Sequence, residues 1–172
     1  MKRETLHATL RVPQGVDRST VARYFRRDAL PEGDAVELRE LLPPFAHARE
    51  GRFAPLAARH PPTNCFWSAL HFFDGPEPAG APLEGDEMLQ RLRRDYVAIA
   101  PSDRTFGDVL ALLTASGNLL HTANFIAEDV IFTKNGGSRV RPWQLGRLSE
   151  LALAYPEATA TRWFRRRVDA RL

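Results

Sequence analysis

Three apolar stretches in the second half of the chain decide the fold: VLALL at 109–113, LLHTANFIA at 119–127 and VIFTK at 130–134. Each stretch is rich in aliphatic or aromatic residues and is bounded by turn-forming residues, as β-strands usually are. The connections between them, Ser116-Gly117-Asn118 and Glu128-Asp129, are short. Because strands joined by short connections become antiparallel neighbours, we expect a mainly antiparallel sheet here.

A helix is predicted to begin at Cys65 and to pack on this sheet. Phe66, Ala69, Leu70 and Phe73 follow at positions i, i+3, i+4 and i+7, which places them on one face of a helix. The residues before Cys65 include two prolines and read as extended chain. The pattern therefore predicts an extended segment that turns into a helix at the cysteine.

The spacing of apolar and charged residues predicts five further elements. A helix around Asp86 to Asp95 has an acidic start and a basic end, which suits the helix dipole. Pro142 is expected to open another helix, and residues 163–168 a last strand. A first strand across 6–12, followed by a short helix, is predicted near the N-terminus.

The composition fits one globular domain of α+β class. The chain has 172 residues, of which 44% are hydrophobic and 26% are charged. We expect one domain over 1–172, in which 1–60 form a strand, a helix and a Pro-rich wrapping segment. Residues 61–155 would form the core, and 156–172 a basic strand or tail. With a single cysteine the chain can form no intramolecular disulfide.

No secretion signal and no apolar run of about 20 residues is visible, so a cytoplasmic location and no membrane partner are expected. The formal net charge of +3 is too small to imply a polyanion partner by itself. Residues 162–167 mix arginines with aromatic residues, a combination that can hold nucleic acid. A charged strand is more often a solvated surface, so nucleic acid is not the favoured partner.

The order of polar residues around the strands suggests a cysteine hydrolase. Cys65 begins a helix, His121 begins the second strand, and Asn135 follows the third. This is the linear order of nucleophile, base and orienting residue in papain-type enzymes. A helix start and an imidazolium both lower the pKa of a thiol from its usual value of about 8.5.

The chain resembles the papain-like superfamily that includes the NlpC-type peptidases and amidases. The resemblance rests on Asn64-Cys65 at the helix start, Gly107-Asp108 before the first core strand, His121 and Asn135. It covers roughly residues 61–155. It implies a nucleophile helix packed on a mainly antiparallel sheet, and hydrolysis of a peptide or small amide bond without a metal or organic cofactor.

In this hypothesis Cys65 attacks the carbonyl carbon, His121 transfers the proton and Asn135 orients the imidazole. Asn64, Trp67 and Asn124 are the expected residues of the oxyanion and substrate site.

Several alternatives remain open. Thr133 or Asn124 could replace Asn135, and His60 or His71 could be the base. The same cysteine and histidine could transfer an acyl group to an acceptor other than water. A further alternative is a non-catalytic papain-like module that binds its partner through a basic surface, in which the cysteine is a small buried hydrophobic residue.

Overall fold

A computed structural model describes residues 9–11, 35–37, 42–43, 45, 63–74, 81–137 and 143–167. The helices are α1 (Cys65–Leu70), α2 (Gly85–Asp95) and α3 (Leu148–Ala154), with a 3₁₀ turn at Pro101–Asp103. The strands are β1 (Thr9–Arg11), β2 (Ala35–Glu37), β3 (Tyr96–Ile99), β4 (Val109–Leu113), β5 (Leu119–Ala127), β6 (Val130–Lys134), β7 (Trp143–Arg147) and β8 (Ala160–Arg166). The described part of the chain is thus of α+β class, as the sequence predicts.

The main sheet has six strands in the order β3-β8-β4-β5-β6-β7, and every neighbouring pair is antiparallel. Strands β4 to β7 follow one another directly, as expected from their short connections. The exception is β8, which lies between β3 and β4 and separates two strands that are consecutive in the chain. β1 and β2 form a separate antiparallel pair.

The two faces of the sheet are covered by different helices. On one face α1 and α2 pack over a core that joins Cys65 and Met88 to Val109 and Ala111. The opposite face packs against α3, where Leu151 joins Leu110, Leu112, Ala123, Phe125, Ile131 and Trp163. We call these the α1 face and the α3 face. Strand β5 is covered on both faces, so its polar side chains are buried whichever face they point to.

Side-chain hydrogen bonds fix α1 against the far edge of the sheet. The hydroxyl of Ser68 donates to the carbonyl of Asn64 at 2.8 Å, and the indole N–H of Trp143 in β7 donates to that hydroxyl at 2.8 Å. One serine therefore joins the first turn of the helix to the edge strand β7.

The predicted bounds of β4, β5 and β6 are confirmed residue for residue, and α2 begins one residue before its predicted start. The helix expected from Pro142 is wrong at its start. Residues 143–147 pair with β6 as strand β7, and the helix begins only at Leu148.

The last strand is confirmed with an earlier start, at Ala160. Only Thr9–Arg11 of the first predicted strand is described, and the short helix predicted after it lies outside the described residues. Strand β3 was not predicted from the sequence. None of the described helices combines the length and the hydropathy needed to cross a membrane.

Candidate functional site

The start of α1 is held by the side chain of Asn64. Its Oδ1 accepts a hydrogen bond from the backbone N–H of Trp67 at 2.9 Å, which is the geometry of an N-cap. Its Nδ2 donates to the carbonyl of Leu83 at 2.7 Å. In this structure Asn64 is therefore a cap that also ties α1 to the segment preceding α2.

The thiol of Cys65 is buried, with 5% of the residue exposed. Burial raises the pKa of Cys65 above its usual value. The backbone N–H groups of Thr122, Phe66 and Cys65 itself, together with the Thr122 hydroxyl, lower this pKa but are outweighed. The Thr122 hydroxyl lies beside the sulfur, but it forms no hydrogen bond of good geometry with any described residue. The thiol is thus protonated at neutral pH, where the sequence predicted a depressed pKa.

Cys65 and His121 lie on opposite faces of the sheet. Thr122, the next residue along β5, is the one beside Cys65, and Asn124 is hydrogen-bonded to α1. Side chains alternate between the two faces along a strand. His121 therefore projects from the α3 face, where its ring stacks on that of Tyr155 with centroids 4.4 Å apart and planes at 24°.

The pairing of β4 with β5 gives the same result independently. Ala111 is opposite Thr122, and Leu112 is opposite His121. Ala111 belongs to the core that contains Cys65, whereas Leu112 belongs to the core on the α3 face. The structure therefore does not bring the expected nucleophile and base together.

The ring of His121 is buried and neutral. Thr133 Oγ1 lies 2.8 Å from the ring Nε2 and 2.9 Å from the carbonyl of Thr122. A carbonyl can only accept, so the single hydroxyl proton of Thr133 goes to Thr122, and Nε2 must donate to Thr133. The unprotonated Nδ1 has no partner among the described residues. Burial lowers the pKa of His121 to about 4.

Tyr155 contacts both Asn135 and His121. The hydroxyl of Tyr155 donates to Asn135 Oδ1 at 3.4 Å, and the same tyrosine stacks on the imidazole. The imidazole Nε2 donates its hydrogen bond to Thr133, one of the alternatives for the orienting residue. These residues form a polar group on the α3 face, away from Cys65.

Asn124 and Trp67 both serve the packing of α1. Asn124 Nδ2 donates to the carbonyls of Ala69 at 3.3 Å and Gly107 at 3.2 Å, and so joins the end of α1 to the segment before β4. Trp67 is buried and makes an edge contact with Phe45, with ring centroids 5.3 Å apart. In this structure both expected substrate-site residues are interior.

Of the two remaining histidine candidates, His71 is described, and it lies at the other end of α1 from Cys65. His71 caps the far end of α1, where its Nδ1 lies 2.5 Å from Asp74 Oδ2 and its ring packs on Trp67. His60 lies outside the described residues. Within the described ranges no group of three His, Cys, Asp or Glu side chains could hold a metal ion.

Two members of the C-terminal run of arginines and aromatic residues have structural positions. Trp163 is buried and packs edge-on against Phe125, so it offers no surface to a nucleobase. Arg165 binds the buried carboxylate of Asp108, with Nη2 to Oδ2 at 2.7 Å and Nε to Oδ1 at 3.1 Å. The expected aromatic and basic surface is therefore not formed by these two residues.

A different basic surface lies where the end of α2 meets the end of β8. It consists of Arg91, Arg94, Arg166 and Arg167, and we call it the arginine patch.

Asp95 links the members of this patch. Arg94 binds its carboxylate at 2.7 and 2.8 Å. This hydrogen bond, followed by the charges of Arg94, Arg91 and Arg166, lowers the pKa of Asp95 against a smaller effect of burial. Arg167 donates its backbone N–H to the Asp95 carbonyl at 2.9 Å.

Two carboxylates lie within the described part of the arginine patch. Arg94 binds Asp95, and Glu87 lies 3.9 Å from Arg91. In the sequence the two halves of the patch are separate, one at the basic end of a helix and the other on a charged strand. The antiparallel pairing of β3 with β8 is what brings them together.

Comparison of the chain with models of known families, with curated proteins and with solved structures gave no match.

Proposed function

We propose that this chain is a non-catalytic binding module that holds an anionic partner on the arginine patch. In this proposal α1 and the sheet form a papain-like scaffold, as the sequence resemblance implies, and Cys65 is a structural thiol. The observation that carries the proposal is the arginine patch itself, in which Arg91, Arg94 and Arg166 act on the carboxylate of Asp95 and Arg167 binds the carbonyls of Asp95 and Tyr96. Arginine groups suit carboxylates and phosphates because their fork of N–H donors matches paired oxygens.

The positions of Cys65 and His121 favour binding over hydrolysis. A general base must come within hydrogen-bond reach of the proton that it removes. Here the sheet separates the two residues, the thiol is protonated and the imidazole is neutral with its Nε2 hydrogen-bonded to Thr133. This is the environment of two buried structural residues.

Charge reversal within and outside the arginine patch tests the proposal. Arg94 and Arg162 are both exposed, and only Arg94 belongs to the patch. We expect Arg94→Glu to weaken binding of fluorescent glutamate-rich peptides and oligothymidylates by roughly 2- to 30-fold, because an exposed pair contributes about 0.2–1 kcal/mol and reversal makes it repulsive. Arg162→Glu gives the same change in net charge and is the matched control. Equal effects of the two variants would contradict the proposal, because binding would then follow net charge alone.

A cysteine hydrolase is the second candidate. It is favoured by the three backbone N–H groups, from Cys65, Phe66 and Thr122, that act on the sulfur. Such groups stabilise negative charge at a thiolate or an oxyanion. This candidate requires a base other than His121. Turnover of a panel of amide and ester substrates that disappears in Cys65→Ala and persists in His121→Gln would establish it.

A further inference from the structure

The outer edge of β3 carries backbone groups that point away from the sheet. β3 is an edge strand and pairs only with β8 among the described strands. Arg167 donates its backbone N–H to the carbonyl of Asp95, and this pair continues the register of Tyr96 with Arg166. Hydrogen-bonded and non-bonded pairs alternate along an antiparallel ladder. Because Asp95 and Arg167 form a hydrogen-bonded pair, the next residue of β3 that bonds to β8 is Val97. The backbone groups of Tyr96 and Ala98, on either side of it, face outward.

Ala98 is the open position of this edge. The carbonyl of Tyr96 accepts a hydrogen bond from Arg167 Nε at 3.2 Å. The N–H and C=O of Ala98 have no hydrogen-bond partner in the described part of the chain. Val97 and Ala98 are both exposed, with Val97 at 37%. Edge strands in natural proteins are commonly protected by charged residues, prolines or covering loops. Two small apolar residues at an exposed edge are suited to receiving another strand.

The arginine patch begins at one end of this edge. Arg94 precedes the strand by two residues, and Arg167 bonds to its first carbonyl. A segment that lies along β3 would therefore pass the patch at one end. An extended peptide with carboxylate side chains matches both the backbone groups and the charge.

Nucleic acid fits this surface less well. Binding of single strands uses exposed aromatic rings on which the bases stack. In the described ranges the exposed large hydrophobic residues are Val97 and Leu153, and neither is aromatic. The surface thus offers charge and a strand edge, but no stacking platform.

We infer that an extended acidic peptide adds to β3 as a further strand, with its carboxylates against the arginine patch. The inference rests on the proposed function, because it assigns the chemistry of the anionic partner. Main-chain hydrogen bonds to Ala98 supply the register, and the arginines supply the preference for acidic side chains.

Proline at position 98 tests the strand addition directly. Ala98→Pro removes an outward N–H and leaves the bonds from Val97 to β8 intact, and proline is tolerated at such edge positions. Ala98→Ser keeps the N–H and is the matched control. The probe is a fluorescein-labelled octapeptide of alternating Glu and Val, followed by anisotropy at low salt. We expect Ala98→Pro to weaken binding by about five- to tenfold through the lost hydrogen bond, and Ala98→Ser to leave it within about twofold.

A second measurement leaves the protein unchanged. N-methylation of the peptide on alternate residues blocks one edge of the added strand, and methylation of the intervening residues blocks the other. One methylated peptide should lose binding and the other should keep it. Equal binding by the two peptides would overturn the inference even if Ala98→Pro fails to fold.

The outcomes separate the inference from the proposed function. If Ala98→Pro and both methylated peptides bind normally while Arg94→Glu weakens binding, strand addition is refuted and the arginine patch stands. If an oligothymidylate of equal charge binds and the peptide does not, the acidic peptide is refuted as the partner. If neither anion binds, both proposals fall.

Discussion

Protonation of His121 is expected to destabilise the fold, and its magnitude follows from the burial of the ring. The pKa of His121 is lowered to about 4 in the folded protein, against a value of about 6.5 in an unfolded chain. The unfolded state therefore binds a proton at a higher pH than the folded state. The contribution of His121 to stability is fully present above about pH 6.5 and is lost as the pH falls towards 4. The total loss is about 3 kcal/mol, because one pKa unit corresponds to about 1.4 kcal/mol.

The assay is urea unfolding followed by tryptophan fluorescence between pH 8 and pH 5. About 2 kcal/mol of the effect falls within this range, in which most carboxylates remain ionised. His121→Gln serves as the reference, since the Gln amide N–H₂ can replace Nε2 as donor to Thr133 and does not titrate. The difference between the two proteins cancels the contribution of the other titrating groups.

The expected result is a loss of stability in the wild type that exceeds the loss in His121→Gln by about 2 kcal/mol at pH 5. Parallel curves for the two proteins would refute the argument. That outcome would mean that the imidazole has access to water or to a proton acceptor that stabilises its charged form.

Three further predictions concern the Cys65 thiol, the glycines before and after β4, and the N-cap of α1. Cys65 should react slowly with iodoacetamide through pH 8, since burial raises its pKa; mass spectrometry showing fast labelling at pH 7 would contradict this. Gly107→Ala should cost more than about 2 kcal/mol in urea unfolding, because its φ is +84° and a Cβ would overlap the Phe73 ring. Gly117→Ala, at the same φ in open space, should cost only about 1 kcal/mol, and an equal cost at both sites would exclude the overlap. Asn64→Ala should lower the melting temperature through loss of an N-cap worth about 0.5–2 kcal/mol, whereas Asn64→Ser keeps an oxygen that can cap the helix and should lose less.

The strands were predictable because their ends are marked by local chemistry. Gly117 adopts a positive φ in the turn between β4 and β5, and Glu128 does so between β5 and β6. Apolar runs bounded by such turns leave little freedom in the strand limits. The class of the fold follows from these short connections, since each one forces an antiparallel neighbour.

The face to which each residue of β5 points could not be predicted in the same way. When one face of a strand is solvated, the polar residues identify it. Both faces of β5 are covered here, so His121 and Thr122 are equally buried and the alternation carries no polarity signal. The order of Cys65 and His121 along the chain is compatible with either face, and the structure has the one that separates them.

The start of the helix predicted from Pro142 was wrong for a related reason. The spacing of Leu145, Leu148 and Leu151 satisfies a helical period, but it does not exclude a strand followed by a helix. Pairing with β6 takes residues 143–147, and that pairing is a long-range property. The arginine patch is likewise the result of contacts between segments about 70 residues apart, which a local pattern cannot reveal.

The position of β8 has a consequence for how the protein forms during synthesis. The meander from β4 to β7 uses neighbours in the chain and can assemble as soon as residue 147 has emerged. β3 has been made earlier, yet its only described partner strand ends at Arg166. Until then β3 has no described strand to pair with, and the β4 edge that later receives Trp163 stays open to water or to a chaperone. Shortening the chain from Ala160 onward should therefore leave the meander with an unpaired β3 and a strong tendency to aggregate through β4.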